Sequence, residues 1–225
     1  MKKKIFFLFL TFCILSCSLV LAVSYYDMNS SHWAYKYVME LSNNNVINGY
    51  TDGSFKPEGT ITNAEFIKLV VMAGLPEWID IKDAESSINH WASPYIWIAE
   101  RYGIISTWSI TLKNADTPIT RIEMVRIISK ADITMKGNSL ETKEKVKFND
   151  VLSLNSDDLL LLKHACSKGL ITGYTDNSFK PFNNMTRAEA ATMIYRFKWG
   201  GLYEKEIFYC KKLVGRYFFY NHDDD

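Results

Sequence analysis

One four-residue element occurs three times in this chain and constrains its fold more than any other feature. It stands at residues 62–65, 120–123 and 186–189, at offsets of 58 and 66 residues, and each copy begins with Thr and ends with Glu. A Thr at a helix N-cap accepts a hydrogen bond from the backbone N–H three residues later. A Glu at that third position bonds back to the N–H of the cap. Three such elements predict three helix starts.

Apolar residues with helical spacing follow each element. They recur at positions i, i+3, i+4 and i+7, which places them on one face of an α-helix. A second apolar set precedes each element at the same offsets and predicts an earlier helix that ends near Asn45, Gly103 or Gly169. The sequence therefore predicts a mainly all-α chain of three helix-loop-helix repeats. The apolar positions are Val38, Leu41, Phe66, Leu69, Val70, Ala73, Ile96, Ala99, Met124, Ile127, Ile128, Ala131, Leu162, Ala165, Ala190, Met193, Ile194 and Phe197.

The loop between the two helices recurs almost unchanged in the first and third copies. Residues 48–57 read Asn-Gly-Tyr-Thr-Asp-Gly-Ser-Phe-Lys-Pro, and residues 172–181 read Thr-Gly-Tyr-Thr-Asp-Asn-Ser-Phe-Lys-Pro. We expect Gly49 and Gly173 to adopt the left-handed conformation that ends a helix. The pair Asp52-Gly53 suggests a calcium loop, but the alternating acidic ligands and the final Glu of an EF-hand are missing. We therefore predict a turn here, and neither a metal nor another cofactor.

The first 22 residues have the pattern of a signal peptide. Three lysines precede an apolar run over residues 5–21, and Val20 and Ala22 are small residues suited to cleavage after position 22. The run is short for a helix that spans a membrane, so we favour a cleaved signal over a retained anchor and predict no transmembrane segment after cleavage. An alternative is lipoprotein processing at Cys17, which follows Ile-Leu-Ser.

Removal of these residues changes the charge and the cysteine count. Lys+Arg falls from 26 to 23 against 25 acidic residues, which leaves a net charge of −2. A chain without excess positive charge is unsuited to bulk electrostatic binding of nucleic acid. Cys166 and Cys210 remain. They permit one disulfide but no four-ligand zinc site. The alternative for Cys166 is a core residue, since it lies in an apolar helical pattern.

The three copies resemble the S-layer-homology repeat over about residues 25 to 198. The first copy matches at Tyr26-Asp27, His32-Trp33-Ala34, Val46-Ile47-Asn48-Gly49-Tyr50, Asp52-Gly53-Ser54-Phe55 and Thr62-Asn63-Ala64-Glu65. The second matches at Lys82-Asp83, His90-Trp91-Ala92, Gly103-Ile104-Ile105 and Thr120-Arg121-Ile122-Glu123. The third matches at Phe148-Asn149-Asp150, Gly169-Leu170-Ile171-Thr172-Gly173-Tyr174 and Thr186-Arg187-Ala188-Glu189.

The resemblance implies an architecture and a function. Repeats at residues 23–80, 81–135 and 148–198 would form a pseudo-trimeric helical bundle. A flexible link would cover residues 136–147, and a tail of unknown role residues 199–225. Grooves between neighbouring repeats would bind an anionic secondary cell-wall polysaccharide that carries pyruvylated N-acetylmannosamine. The chain would then be a secreted surface protein held non-covalently on a Gram-positive cell wall or S-layer.

The residue after each capping Thr is the main site candidate that the resemblance implies. Arg121 and Arg187 occupy it in copies two and three, and Asn63 in copy one. A guanidinium binds a carboxylate through two parallel hydrogen bonds, and the free N–H groups of a helix start favour an anion. The alternative is that both arginines are solvated first-turn residues. We expect at most two competent grooves, those with the arginines.

Further groove candidates are two tryptophans, three aspartates and two glycines. Tryptophan either stacks on a sugar ring or belongs to the core. The aspartates either line the groove or make turn hydrogen bonds, and His32 and His90 are structural, because no partner with metal-ligand spacing exists. The candidates are Trp33, Trp91, Asp27, Asp83, Asp150, Gly49 and Gly173.

Two rival functions stay open at this point. The first is a helical-repeat module that binds a surface protein and whose sugar sites have degenerated. The second is a glycoside hydrolase, which needs two carboxylates that flank a bond. The repeated glutamates are already explained as capping groups, and no Gly-x-Ser-x-Gly motif is present. We therefore predict that the chain is not an enzyme.

Overall fold

The computed structural model describes residues 23–76, 81, 84, 90–106, 114–143 and 146–200. Within these ranges the chain forms six helices and no β-strand, which confirms the mainly all-α prediction. The predicted signal peptide, Asp83, Cys210 and the tail beyond residue 200 lie outside the described residues. The helices are α1 (Tyr35–Asn43), α2 (Asn63–Gly74), α3 (Ser93–Arg101), α4 (Arg121–Thr134), α5 (Ser156–Ser167) and α6 (Arg187–Trp199).

Capping boxes start the second helix of every repeat, as the sequence predicts. In α2, the Thr62 hydroxyl accepts a hydrogen bond from the Glu65 N–H at 3.2 Å, and the Glu65 carboxylate accepts one from the Thr62 N–H at 2.9 Å. The starts of α4 and α6 have the same reciprocal pair of bonds. We call α2, α4 and α6 the capped helices.

The first helices α1, α3 and α5 end at equivalent positions in the left-handed region. The φ angles are 56° at Asn45, 67° at Gly103 and 66° at Gly169. The prediction that Gly49 and Gly173 are left-handed is wrong, since neither has a positive φ. These glycines admit an aromatic ring instead, because a Cβ at either position would overlap the ring of Tyr25 or Phe148.

Three backbone hydrogen bonds close a ring at the centre of the molecule. The Ile61 N–H donates to the Met185 carbonyl at 3.1 Å, Met185 donates to Ile119 at 3.1 Å, and Ile119 donates to Ile61 at 3.0 Å. Each of these residues directly precedes a capping Thr. The three repeats are therefore related by a pseudo-threefold axis that passes near the starts of the capped helices.

The hydrophobic core lies between repeats rather than inside them. Each first helix packs on the capped helix of the preceding repeat, since α3 contacts α2, α5 contacts α4, and α1 contacts α6. Helix α2 also contacts both α4 and α6 around the axis. Because each apolar helix face is covered by a neighbouring repeat, the three repeats depend on one another for burial.

The segment after α4 was expected to be a flexible link, but its described part is packed. The Lys136 ammonium donates to the Phe197 carbonyl at the end of α6. The Glu141 N–H donates to His164 Nδ1 at 3.0 Å, and the Glu141 carboxylate lies 3.4 Å from Lys168 Nζ. These contacts attach the segment to α5 and α6.

Candidate functional site

The N–H groups at the start of each capped helix are occupied. The first two donate to carbonyls in the loop of the next repeat, and the third donates to the capping Thr. The expectation that free N–H groups would receive an anion is therefore wrong. The bonds to the loops are Asn63 to Thr117 (3.0 Å), Ala64 to Ala115 (2.8 Å), Arg121 to Asn183 (2.9 Å), Ile122 to Pro181 (2.9 Å), Arg187 to Gly59 (2.8 Å) and Ala188 to Pro57 (3.0 Å).

These contacts define three equivalent grooves, which we name after the residue that follows each capping Thr. In the Arg187 groove the start of α6 meets the loop over residues 48–59 of the first repeat. In the Arg121 groove the start of α4 meets the loop over residues 172–183 of the third repeat. In the Asn63 groove the start of α2 meets residues 114–117 of the second repeat.

Arg187 is buried in its groove and fully engaged. Its Nε donates to the Phe55 carbonyl at 2.9 Å and Nη2 to the Asn48 carbonyl at 3.1 Å. Nη1 lies 3.2 Å from Glu65 Oε1. The guanidinium carbon is 4.7 Å from the ring centroid of Tyr50, a distance typical of a cation–π contact. Only 5% of the residue is exposed, so it connects the third repeat to the first.

Arg121 makes the corresponding contacts between the second and third repeats. Nη2 donates to the Thr172 carbonyl, Nη1 lies 3.4 Å from Glu189 Oε1, and the guanidinium carbon is 4.7 Å from the ring centroid of Tyr174. One difference is that its Nε is buried without a hydrogen-bond partner. With 6% and 5% exposure, neither Arg121 nor Arg187 is a solvated surface residue, and that alternative is wrong.

The capping glutamates balance the charge of these arginines. In Glu189, Oε2 accepts from the Thr186 N–H at 3.0 Å, while Oε1 faces Arg121 and accepts from the Tyr174 hydroxyl at 2.7 Å. Burial raises the pKa of Tyr174 to about 12, and its hydrogen bond to Glu189 adds to the rise. Tyr174 is therefore a neutral hydrogen-bond donor at physiological pH. Glu65 faces Arg187 in the same way.

The described residues of the Asn63 groove include no arginine. Asn63 Nδ2 donates to the Asn114 carbonyl at 3.1 Å and to the Thr117 hydroxyl at 3.0 Å. Asn63 Oδ1 is buried without a hydrogen-bond partner. The amide preserves the contact between repeats but supplies no positive charge.

The aspartates at the start of the repeats hold the loops in place. Asp27 accepts from the N–H groups of Phe55 and Lys56, both at 2.7 Å. Asp150 accepts from the N–H groups of Phe179 and Lys180 at 2.8 and 2.7 Å. Both carboxylates thus make the turn hydrogen bonds that were the alternative to a groove contact. They support the loops that form one wall of two grooves.

The tryptophans are exposed and do not belong to the core. Trp33 and Trp91 are 57% and 51% exposed, and each stacks on the preceding histidine with ring centroids 5.6 and 5.7 Å apart. His32 Nε2 lies 3.3 Å from the carboxylate of Glu58. Because Glu58 belongs to the loop of the Arg187 groove, this contact joins the His32–Trp33 pair to that loop. His90 contacts Asp116 at 3.4 Å in the same way, which joins the His90–Trp91 pair to the loop of the Asn63 groove.

Two lysines were not predicted as site residues. Lys56 Nζ lies 4.2 Å from the ring centroid of Tyr50, and Lys180 Nζ lies 4.4 Å from that of Tyr174. Each tyrosine therefore contacts a buried arginine and a more exposed lysine. The only sequence signal for them was the repeated Ser-Phe-Lys-Pro at the end of the loop.

The described residues give no sign of a metal site. No group of three His, Cys, Asp or Glu side chains in this part of the chain is close enough to hold an ion. Cys166 is half-buried. None of the helices described is long and apolar enough to cross a membrane.

The model of the S-layer homology domain family matches residues 24–67 and 165–191. The chain is an S-layer homology domain protein. It is 28% identical over 182 residues to an S-layer protein of Bacillus thuringiensis subsp. finitimus. The aligned region covers 76% of the chain and 21% of that protein. It is 28% identical to a cellulosome-anchoring protein of Acetivibrio thermocellus, over 49% of the chain and 26% of that protein.

A further relative of this S-layer homology protein is an exoglucanase, XynX, of Acetivibrio thermocellus. The identity is 29% over 191 residues, or 82% of the chain and 16% of the exoglucanase. The chain thus spans about a quarter or less of the length of these relatives. The family match together with these relatives identifies a protein of the bacterial cell surface.

Proposed function

We propose that the chain anchors non-covalently to the cell wall by binding an anionic, pyruvylated secondary polysaccharide in the Arg187 and Arg121 grooves. The main support for this proposal is a tyrosine that contacts both an arginine and a lysine, an arrangement that occurs in both grooves. The residues are Arg187, Tyr50 and Lys56 in one groove and Arg121, Tyr174 and Lys180 in the other. This arrangement concentrates positive charge and an aromatic face at each groove. An acidic sugar needs both features, since its ring has an apolar face and its ketal a carboxylate.

Trp33 is the stacking residue we assign to the Arg187 groove. Its indole is exposed and stacks on His32, which contacts Glu58 in the loop of this groove, so it can present an apolar face to a sugar bound there. The third repeat has Asp157 at the equivalent position, so the Arg121 groove lacks this tryptophan. We therefore expect the two grooves to bind with different affinities, and the Arg187 groove to be the tighter one.

We propose that the module has no catalytic activity of its own. The carboxylates nearest the arginines, Glu65 and Glu189, are each held by a helix cap and a guanidinium. A glycosidase needs one such group free as acid and a second free as base or nucleophile. The name exoglucanase therefore describes that relative and not this chain.

The test is binding of the full chain to purified Gram-positive wall sacculi, before and after hydrofluoric acid removes the secondary polymer. Binding to native sacculi that disappears on stripping is expected. The Arg121→Ala/Arg187→Ala variant should lose binding, since it removes a positive charge from each groove and the contact that holds its tyrosine. Because these arginines also join repeats, Trp33→Ala serves as a second variant that spares the interior.

Circular dichroism must show that each variant is folded at the assay temperature. Equal binding before and after stripping would contradict the proposal, since the protein would then recognise another wall component. Binding that also withstands protease treatment of the sacculi would exclude a protein receptor. Loss of binding on that treatment alone would favour the rival protein-binding module.

A further inference from the structure

In each groove, the residue after the capping Thr and one residue of the facing loop are either both positively charged or both asparagine. Lys56, Asn114 and Lys180 occupy equivalent positions in the three loops, at the same offsets of 58 and 66 residues. The facing residue on the capped helix is Arg187 for Lys56, Arg121 for Lys180 and Asn63 for Asn114. Two grooves therefore have both cations, and the third has an asparagine at each place.

A purely structural role for the arginine does not explain this pairing. Arg187 already has Glu65 as its counter-ion and two carbonyls as acceptors, and it makes no hydrogen bond to Lys56. Two cations that face the same tyrosine repel each other, which is unfavourable for the isolated fold. A shared anionic ligand would stabilise both and would account for their joint retention and joint loss.

The arginine and the lysine of each groove differ in their exposure to solvent. The arginine side chains are 6–7% exposed, whereas those of Lys56 and Lys180 are 50% and 40% exposed. The lysine ammoniums lie 3.6 and 3.8 Å from Asp52 and Asp176, in exposed ion pairs. Such pairs contribute little to stability, so either lysine can exchange its aspartate for a ligand carboxylate at low cost.

The backbone at both lysines is held in an uncommon conformation. The φ angles are 56° at Lys56 and 55° at Lys180, in the left-handed region that side chains other than Gly and Asn rarely adopt. Asp27 and Asp150 stabilise it by accepting the lysine N–H. Backbone strain that recurs at two equivalent positions supports the hypothesis that the lysine side chain has a function there.

We infer that Lys56 and Lys180, rather than the buried arginines, make the direct contact with the carboxylate of the polysaccharide. The arginines position the tyrosine and loop that present each lysine. The chain then has two sites with both cations, in the Arg187 and Arg121 grooves, and a third groove with an asparagine at each of the two positions. This inference rests on the proposed function and names the ligand-contacting cation of the same grooves.

The test compares Lys56→Asn, Lys180→Asn and the double variant with the wild-type chain on native sacculi. Asn tolerates the left-handed conformation and is the residue that the second repeat has. Each single change should weaken binding about tenfold, as expected for loss of one charge-assisted bond, and the double change should remove most of it. Lys143→Asn, in an exposed lysine of the segment after α4, should bind like wild type.

Two further variants separate charge from turn structure. Lys56→Arg/Lys180→Arg keeps the positive charge and should retain affinity to within about threefold. Asp52→Asn/Asp176→Asn removes the competing carboxylates and should bind as well as wild type or more tightly. Wild-type binding should weaken with salt, and the double Lys→Asn variant should lose most of that dependence.

The outcomes distinguish this inference from the proposed function. If the double Lys→Asn variant binds stripped and native sacculi as the wild type does, the lysine inference is wrong while the proposed function stands. If the Asp→Asn pair weakens binding as much as the lysine pair, the lysines act only through the turn, and the inference is again wrong. If the wild type fails to bind native sacculi, both fail.

Discussion

Replacement of Asp27 by Ala should destabilise the whole molecule, although the residue lies outside every helix. Its carboxylate accepts two backbone N–H groups at 2.7 Å, from Phe55 and Lys56. Phe55 is completely buried, and its carbonyl is also the acceptor for Arg187 Nε. The change therefore removes two bonds and releases the loop that joins the first repeat to the third.

The magnitude follows from the two bonds. A hydrogen bond to a charged acceptor contributes about 1.5–3 kcal/mol, and a buried N–H that loses its partner costs about 1–3 kcal/mol. Water will reach the Lys56 N–H, which is exposed, so the lower value applies there. The sum is about 3–4 kcal/mol for Asp27→Ala. Asp150→Ala should behave alike, since its two bonds measure 2.8 and 2.7 Å.

Urea unfolding followed by circular dichroism measures this change in the free energy of unfolding. Asp27→Asn keeps one acceptor oxygen and should lose about half as much. Asp157→Asn is the matched control, because this exposed aspartate lies in the first turn of α5, where a charge contributes about 0.3–1 kcal/mol. A loss below about 0.5 kcal/mol for Asp27→Ala would refute the reasoning.

Three further predictions concern single positions. Gly49→Ala and Gly173→Ala should lower the melting temperature strongly, because the new Cβ would overlap an aromatic ring. Gly137→Ala is the control, since its Cβ would meet free space and its left-handed φ should cost only about 1 kcal/mol. An equal fall in melting temperature for all three variants would contradict this prediction. Trp33→Ala should weaken binding to sacculi without a change in melting temperature, since the ring is more than half exposed; a shift of several degrees would indicate a core role. Burial raises the pKa of Asp132, but hydrogen bonds from a buried histidine and an asparagine outweigh it, so the pKa lies below the ordinary 3.8. The unfolded state then binds the proton more readily, and stability is lost as the pH falls below about 4. Between pH 5.5 and pH 3, urea unfolding should therefore show a smaller loss in the free energy of unfolding for Asp132→Asn than for the wild type. An equal loss in the two proteins would contradict this prediction.

The capped helices and the ends of the first helices were predictable because their determinants are local. A capping box needs only residues three positions apart, and an amphipathic face needs only helical spacing. Both signals are complete within a short stretch of chain, and the structure has the helices where the sequence places them. Comparison of the three copies then removed the ambiguity of any one match.

The contacts of the arginines were not predictable because they depend on pairing between distant repeats. Arg187 donates to the Phe55 carbonyl, 132 residues earlier in the chain, and no feature near Arg187 indicates that partner. The occupied helix starts have the same origin, since the carbonyls that cover them belong to the next repeat. For Gly49 the local rule for helix ends was misleading, because Asn45 had already ended the helix.

The second repeat is needed for the fold although its loop has Asn114 where the other two loops have a lysine. Ile119 supplies one of the three bonds of the central ring, and Asn114 and Thr117 hold the start of α2 through Asn63. Its own helix start bears Arg121, whose groove is completed by the loop of the third repeat. Each groove therefore takes its helix and its loop from different repeats. Under the proposed function, we expect the change from lysine to asparagine in one loop to affect binding only in the groove that this loop completes. The same repeat still supplies the arginine of another groove.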